Sequence, residues 1–290
     1  MAEGGALADG EFSAWVGRVE TATDAITAQA VAGLAATLDL DVPTRDRLGL
    51  SAGGVLPPLW HWLGFLPTTP MSGLGPDGHP ERGGFLPPVP LERRMWAGGR
   101  LHFQGEMRIG EPLERRSTIL SVQEKTGRAG RMVFVTVEHR FSTARGLALV
   151  EEHDIVYVAI PERFTPPPPV APPAPLAFTE PVPIDAVKLF RFSAVTFNGH
   201  RIHYDLDYSR EVEKYPGLVV HGPLQALLMM EAARRRRGGA VPKAYSFRGV
   251  RPLFHFERLE VVGTAVEGGE QQLATVNGDG HACMLATVTW

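Results

Sequence analysis

A chain of 290 residues, 44% hydrophobic and 21% charged, is long enough for one large domain or two ordinary ones and holds ample apolar material for a core. Its formal net charge of -3 argues against nucleic acid or an anionic membrane as the main partner, and no apolar run approaches the ~20 residues that a membrane span needs. A single cysteine, Cys283, excludes an intrachain disulfide and a cysteine-rich metal site, and the small, acidic start from Met1 to Glu11 lacks a secretory pattern, so a reducing cytoplasm is the expected compartment.

In chain order, Phe12 to Glu20 reads as a short amphipathic piece and Thr21-Ala-Thr-Asp24 as a polar turn. Thr27 to Leu38 follows as a helix with alanine, glycine, valine and leucine around most of its surface, which predicts enclosure by other structure. From Pro43 to Pro90, proline and glycine defeat any regular element, and a structureless segment of that length tends to be functional. Trp60, Trp62 and Phe65 either wall off a substrate pocket or pack this insertion, taken as residues 43–92, onto the core. His61 and His79 lie in the same stretch at no spacing that demands a metal, so no metal site is expected.

The period then changes. Met132 to Phe141 puts Val133, Val135 and Val137 on one face and Phe134, Thr136 and Glu138 on the other, the alternation of a strand. Leu113 to Val122 and Leu147 to Val158 read similarly, and Lys125-Thr-Gly-Arg-Ala-Gly130 and Thr143-Ala-Arg-Gly146 read as hairpin turns, which make antiparallel neighbours. Arg163 to Pro183, with the run Pro166-Pro-Pro-Pro169, is too rich in proline for a helix or a central strand and predicts a stiff connector, residues 162–183, between residues 1–161 and residues 184–290. Beyond it come a second buried helix and candidate strands Ala244 to Val250, Leu259 to Val266, Gln271 to Asn277 and Cys283 to Trp290. A buried helix followed by antiparallel strands, stated twice, predicts a duplicated α+β unit: two antiparallel sheets, each wrapped around a central helix, with free edges that can pair into one sheet.

The chemistry concentrates between Phe192 and Arg237. Val219 to Ala233 is apolar on nearly every side of a helical wheel, and Gly222-Pro223 suits the first turn of a helix. Glycine brings no side-chain oxygen, so the first N–H groups stay open to ordered water or to a partner bearing negative charge, such as a reacting carbonyl oxygen. Just upstream, Asn198, His200 and His203 crowd into six residues, flanked by Tyr204 and Asp205. Imidazole, with a pKa of ~6.5, suits proton transfer near neutrality, and an amide beside it holds a water without competing for the proton. Arg234 to Arg237 either meet coenzyme A phosphates or, the reading favoured, complement the dipole at the helix C-terminus in solvent, and Arg248 and Arg251 are candidates for the phosphates or a substrate carboxylate, with structural ion pairs as the alternative. No phosphate-cradling glycine motif or nucleophile elbow is present.

The run Asn198-Gly-His-Arg-Ile-His203-Tyr-Asp205, followed by Gly217-Leu-Val-Val-His-Gly222-Pro-Leu224, resembles the hydratase motif of MaoC-type hotdog enoyl-CoA hydratases and dehydratases. In that family an aspartate and a histidine stand five residues apart and a central helix starts at a glycine-containing turn. His203 falls on the histidine and Asn198 on the aspartate, a departure similar to the subgroup of mitochondrial-type hydroxyacyl-thioester dehydratases and mesaconyl-C(4)-CoA and itaconyl-CoA hydratases, with a fatty-acid-synthase-like N-terminal dehydratase domain. The resemblance covers most of the chain. It implies a double hotdog whose second half keeps the catalytic loop while the first accommodates substrate.

The activity it implies is reversible hydration of a 2-enoyl thioester, or dehydration of a 3-hydroxyacyl thioester, with a short and conceivably dicarboxylic acyl group on coenzyme A or acyl carrier protein. No cofactor beyond the substrate's coenzyme A is implied, and the chain is a pseudo-dimeric monomer or a homo-oligomer. In this reading His203 takes a proton from a water held by Asn198, the backbone N–H of Gly222 receives the thioester oxygen, and His200 assists or orients the loop. Arg248, Arg251, Trp60, Trp62, Tyr204 and His221 are the candidates for contact with substrate or coenzyme A. Asp205 and Asp207 are the nearest carboxylates should a second catalyst be needed. Thioester hydrolysis and acyl-thioester binding without turnover are the competing readings.

Overall fold

The computed structural model describes residues 10–127 and 130–290; the start of the chain to residue 9, and Arg128 and Ala129 of the expected hairpin turn, lie outside the described residues. The first half comprises β1 (Val19–Ala25), α1 (Ala28–Thr37), α2 (Val42–Arg47), β2 (Arg93–Phe103), β3 (Pro112–Gly127), β4 (Gly130–Thr143) and β5 (Gly146–Val158). The second comprises β6 (Phe178–Val182), α3 (Ala186–Val195), α4 (Gly222–Arg235), β7 (Ala244–Gly249), β8 (Leu259–Gly263), β9 (Glu270–Val276) and β10 (Ala282–Thr289). The short turns between strands force antiparallel neighbours, and the two expected sheets meet edge to edge as one, in the order β1-β3-β4-β5-β2-β7-β10-β9-β8-β6. From each outer edge inward the halves repeat one order, and they join where Gly98–His102 of β2 pairs with Arg248–Ala244 of β7.

Each half buries its helix for a sequence reason. In α4, Leu224, Leu227, Met229 and Met230 are all within 1% of full burial, and the helix packs on β2, β8, β9 and β10. Enclosing each such side chain contributes ~1.5–3 kcal/mol. α1 is capped by Thr27, whose hydroxyl accepts from the Ala30 N–H at 3.1 Å, and its small residues let α3 approach: a Cβ on Gly33 would lie 3.1 Å from Val195. One apolar cluster runs through both halves, from Leu34, Leu101 and Leu149 to Leu224, Met230 and Val261. Val133, Val135 and Val137 of β4 are buried as their alternation requires, under Phe12 and Val89. No helix among the described residues is long and apolar enough to cross a membrane.

The structure corrects several expectations. The polar cluster Thr21–Asp24 is part of β1, an edge strand held to β3 by backbone pairing, so its outward side chains need not be apolar. Residues 178–182 of the proline connector form β6, a strand at the other edge, the position at which a sheet tolerates Pro181. α2 stands at the start of the insertion, and α3, with Asp185 accepting from the Lys188 N–H at 2.8 Å as its cap, precedes the histidine-rich loop.

β2 is the least legible strand because Trp96-Ala-Gly-Gly99 carries a bulge and two glycines in place of alternating apolar residues. The glycines have a steric reason. A Cβ on Gly98 would lie 2.6 Å from the Phe247 carbonyl oxygen, and one on Gly99 would lie 2.9 Å from the Phe247 ring. Gly98→Val is therefore expected to push the halves apart and cost at least ~1–3 kcal/mol, read as a lower urea midpoint of unfolding.

Candidate active site

The histidine-rich loop is set by the end of α3. The chain turns at Phe197, which adopts the left-handed region with φ of 48°, and the Asn198 N–H bonds back to the Ser193 carbonyl at 2.8 Å. The Asn198 side-chain oxygen accepts from the His200 N–H at 3.0 Å, and a tight turn at Arg201–His203 carries His203 inward. His203 Nδ1 lies 2.7 Å from the Val219 carbonyl oxygen. A carbonyl only accepts, so Nδ1 bears the hydrogen and Nε2 keeps its lone pair. The His221 ring stacks on His203 with centroids 3.6 Å apart, and its Nε2 is 2.8 Å from Ser193 Oγ. α4 begins beside this ring with no side-chain cap, and the Gly222 N–H makes no hydrogen bond among the described residues.

Asn198, His200, His203 and Gly222 line one cavity of about 900 Å³ between the halves. The first half contributes Trp96 and His153 to its wall, and the connector closes one side with Phe164 and Pro167. Arg251 lines this cavity. Arg248 lines a separate one of about 500 Å³ with Arg100, Asp154 and Pro172, so the two arginines do not act together.

Neither tryptophan proposed from the sequence lies on the wall. Trp60 is 1% exposed and gives its indole N–H to Glu231 at 2.9 Å; Trp62 gives its own to Glu151 at 2.9 Å and packs edge-on against Trp96, which does face the cavity. Tyr204 points outward, with its hydroxyl on the Gly199 carbonyl, and His221 sits behind His203 as a support. Asp205 pairs with Arg201 at 2.7 Å, and neither it nor Asp207 is among the cavity residues. Of the four consecutive arginines, Arg235 and Arg236 pair with Glu180 and Arg234 bonds the Gly239 carbonyl, so the run fastens the end of α4.

Sequence reading missed two contributors from the first half, His79 and Arg94. Asp77-Gly78-His79 belongs to the glycine and proline loop and meets the histidine-rich loop across the molecule: the Arg201 N–H donates to the Asp77 carbonyl at 2.9 Å, and Gly78 lies against Gly199. The His79 and His200 rings lie against each other with centroids 4.2 Å apart and planes tilted by 44°. The donor atoms of Asp77, His79 and His200 come within 4.8 Å of one another. Both Asp77 oxygens accept from His79, one from Nδ1 and one from the backbone N–H, each at 3.0 Å, so Asp77 and His79 form a hydrogen-bonded dyad with the His200 ring tilted against it. Aspartate two residues before histidine across a glycine is the local signal that could have drawn attention to it.

Comparison with known proteins gives a consistent picture. Residues 59–255 match the family Hydroxyacyl-thioester dehydratase type 2. The chain is 44% identical to the mesaconyl-C(4)-CoA hydratase of Chloroflexus aurantiacus over 286 residues, 97% of this chain and 99% of that protein. It is 28% identical over 236 residues to the mitochondrial hydroxyacyl-thioester dehydratase type 2 of Schizosaccharomyces pombe, 71% of this chain and 77% of that one. Among solved structures, a MaoC-like dehydratase from Phytophthora capsici superposes with a TM-score of 0.71 at 12% identity, over 94% of this chain and 95% of its own. A Mycobacterium tuberculosis protein described as having a double hotdog fold gives 0.60 at 11% identity, over 94% and 96%. These two likenesses concern the fold.

The imidazoles of the site are kept uncharged. Burial pushes His203 down to about 4 against the opposing pull of the Val219 carbonyl, and burial, reinforced by neighbouring histidines, holds His200 and His221 well below the ordinary value. A histidine depressed in the folded state contributes stability that is present above its unfolded pKa of ~6.5 and is lost as pH falls from there toward 4. His203→Asn is therefore expected to flatten the fall in urea midpoint between pH 7 and pH 4.5, removing on the order of 2–3 kcal/mol of pH-dependent stability.

Proposed function

This chain belongs to the hydroxyacyl-thioester dehydratase type 2 family, and from that premise we propose that His203, Asn198 and Gly222 carry out its reaction, the reversible addition of water to a 2-enoyl thioester. Adding water requires a base for the water, a proton for C2 and a partner for the oxygen that gains charge. The observation that carries the reading is the free Nε2 of His203 beside the Asn198 amide and the uncapped Gly222 N–H, all on one cavity. Asn198 holds the water, His203 Nε2 takes its proton, and the Gly222 N–H, at the positive end of α4, meets the thioester oxygen as it becomes an enolate. Release of free thiol from an acyl-CoA would mark thioester hydrolysis instead, since an N–H on the carbonyl oxygen serves attack at that carbon as well.

We further propose a short dicarboxylic acyl group on coenzyme A. A relative 44% identical is named for mesaconyl-C(4)-CoA, whose acyl group keeps one free carboxylate. Arg94 lines the cavity and makes no ion pair among the described residues; its guanidinium bonds only the Pro80 carbonyl, at 3.4 Å. Neighbouring Arg93 is committed to Glu213 at 2.6 Å, which leaves Arg94 as the cation for the distal carboxylate. Arg251 and Arg163, at the connector side, suit the phosphates of the carrier. Both halves of the cavity come from one chain, so a single copy suffices for the chemistry, and buried, unpaired Cys283 accords with a cytoplasmic home.

His203→Ala and Asn198→Ala are expected to lower kcat by ~10² to 10⁴, followed as loss of enoyl-thioester absorbance, with near-normal rates in both overturning the assignment. In a panel of crotonyl-, mesaconyl- and itaconyl-CoA, Arg94→Met is expected to raise KM ~10- to 100-fold for the carboxylate-bearing substrates and to leave crotonyl-CoA unchanged.

A further inference from the structure

Hydration moves one proton from water to C2, and the loop that should supply two acid–base groups supplies one, because Asn198 stands where the carboxylate would be. His203 alone is poorly suited to hold that proton: it is buried, and its Nδ1 rests on a neutral carbonyl that does little to stabilise an imidazolium. We propose that Asp77 and His79, delivered from the first half, are the second acid–base pair of this site, and that His79 Nε2 exchanges the proton with C2 of the substrate. The proposal rests on the hydratase reading above and names a partner for His203.

Three observations carry it. Asp77 fixes the tautomer of His79: one carboxylate oxygen is 3.0 Å from Nδ1, the other accepts the His79 N–H, and Nε2 is left with its lone pair on a ring that lines the cavity. Among the imidazoles of the histidine cluster around the loop, His79, His200 and His203, this one has a carboxylate behind it, which stabilises its charged form. His153, also on the wall, shares Glu151 with His61 and Trp62. Finally, the pair is anchored to the loop it would serve. Besides the Arg201 N–H to Asp77, the Arg201 guanidinium donates to the Pro76 carbonyl at 3.1 Å, and Gly78 sits so near Gly199 that a Cβ on Gly78 would lie 2.0 Å from the Gly199 oxygen. Gly78 also has a φ of 86°, so glycine is needed there twice over.

The step balances without a further reagent. As the water oxygen bonds to C3, its O–H bond breaks toward His203 Nε2, and the C2–C3 π electrons move into the thioester, whose oxygen takes the charge at Gly222. The proton passes through cavity water to His79 Nε2, forming an imidazolium against Asp77. His79 then gives it to C2 as the thioester carbonyl re-forms, and both imidazoles end neutral. In the dehydration direction His79 removes the C2 proton first. Burial outweighs the Asp77 hydrogen bond and sets His79 below its ordinary value, so the ring is neutral and ready to accept at pH 7.

The test is exchange of the C2 hydrogen of a 3-hydroxyacyl-CoA in deuterium oxide, followed by mass spectrometry beside the hydration rate. His203→Ala is expected to lose hydration and retain C2 exchange. His79→Gln is expected to lose both, by ~10² to 10⁴ in hydration. Asp77→Asn, which keeps the backbone bond to Arg201, should slow exchange at least 10-fold, and it carries the test if His79→Gln melts early. Wild-type exchange and kcat in either variant, with His203→Ala inactive, would overturn the proposal and leave the hydratase reading standing. Full activity in His203→Ala as well would bring down that reading too. Activity abolished by a chelator and restored by Zn²⁺ would make Asp77, His79 and His200 a metal centre and overturn the dyad.

Discussion

The pairing of β2 with β7 is the constraint on which the rest depends. Five residue pairs, from Gly98 with Arg248 to His102 with Ala244, turn two half-sheets into one and fix the gap in which the cavity lies. The same strand places the Trp96 carbonyl 3.7 Å from where a Cβ on Gly222 would stand, so the first half forms a wall directly over the start of α4. Two adjacent glycines at the seam remove the side chains that would hold the backbones apart. A cavity between two sheets is only as well defined as their register, and a ladder of backbone hydrogen bonds defines register to a single residue.

The long insertion underpins that wall. Its aromatic stretch donates to two carboxylates that could not be buried alone: Trp60 to Glu231, and His61 and Trp62 to Glu151. Burial by itself would raise Glu151, yet His153 and His61 outweigh it and hold the carboxyl well below its usual range. Glu151 in turn grips His153 at 2.7 Å, and the His153 ring lies tilted against Trp96 with centroids 4.1 Å apart. The insertion thus stabilises a buried charge beneath the aromatic surface that faces the cavity, and its later residues, 76–80, reach the histidine-rich loop. One segment serves both as foundation and as part of the site.

Much of this was legible before any coordinates. The alternation of Val133, Val135 and Val137, the Gly222-Pro223 start of a helix apolar on all sides and the hairpin turns reflect local rules of period and capping, and local rules act on neighbours in sequence. What stayed hidden depends on distance. β2 carries no alternation because it is defined by partners on both sides, and β1 reads as a turn because an edge strand needs backbone pairing more than apolar side chains. For the site, Asn198, His200, His203 and Gly222 are contiguous enough to be found by pattern, and the fold brings them together. Trp60 and Trp62 were placed on the wall because aromatic content cannot distinguish a surface that meets substrate from one that supports it. Asp77, His79 and Arg94 escaped because the sequence separates them from the loop they meet.

The helices of the two halves start differently. α1 closes its first turn with its own side chain, Thr27, beside fully buried Ile26. By order along the chain the counterpart of α1 is α3, which follows β6 as α1 follows β1 and is likewise capped by a side chain, Asp185. α4, which precedes β7, begins with glycine and proline and no side-chain cap. A cap satisfies an orphan N–H and is worth ~1 kcal/mol to a helix, so leaving it out has a stability cost that α4 can bear because its buried face is far larger than that term. In the proposed mechanism, residues 76–80 of the first half supply the acid–base group that Asn198 does not.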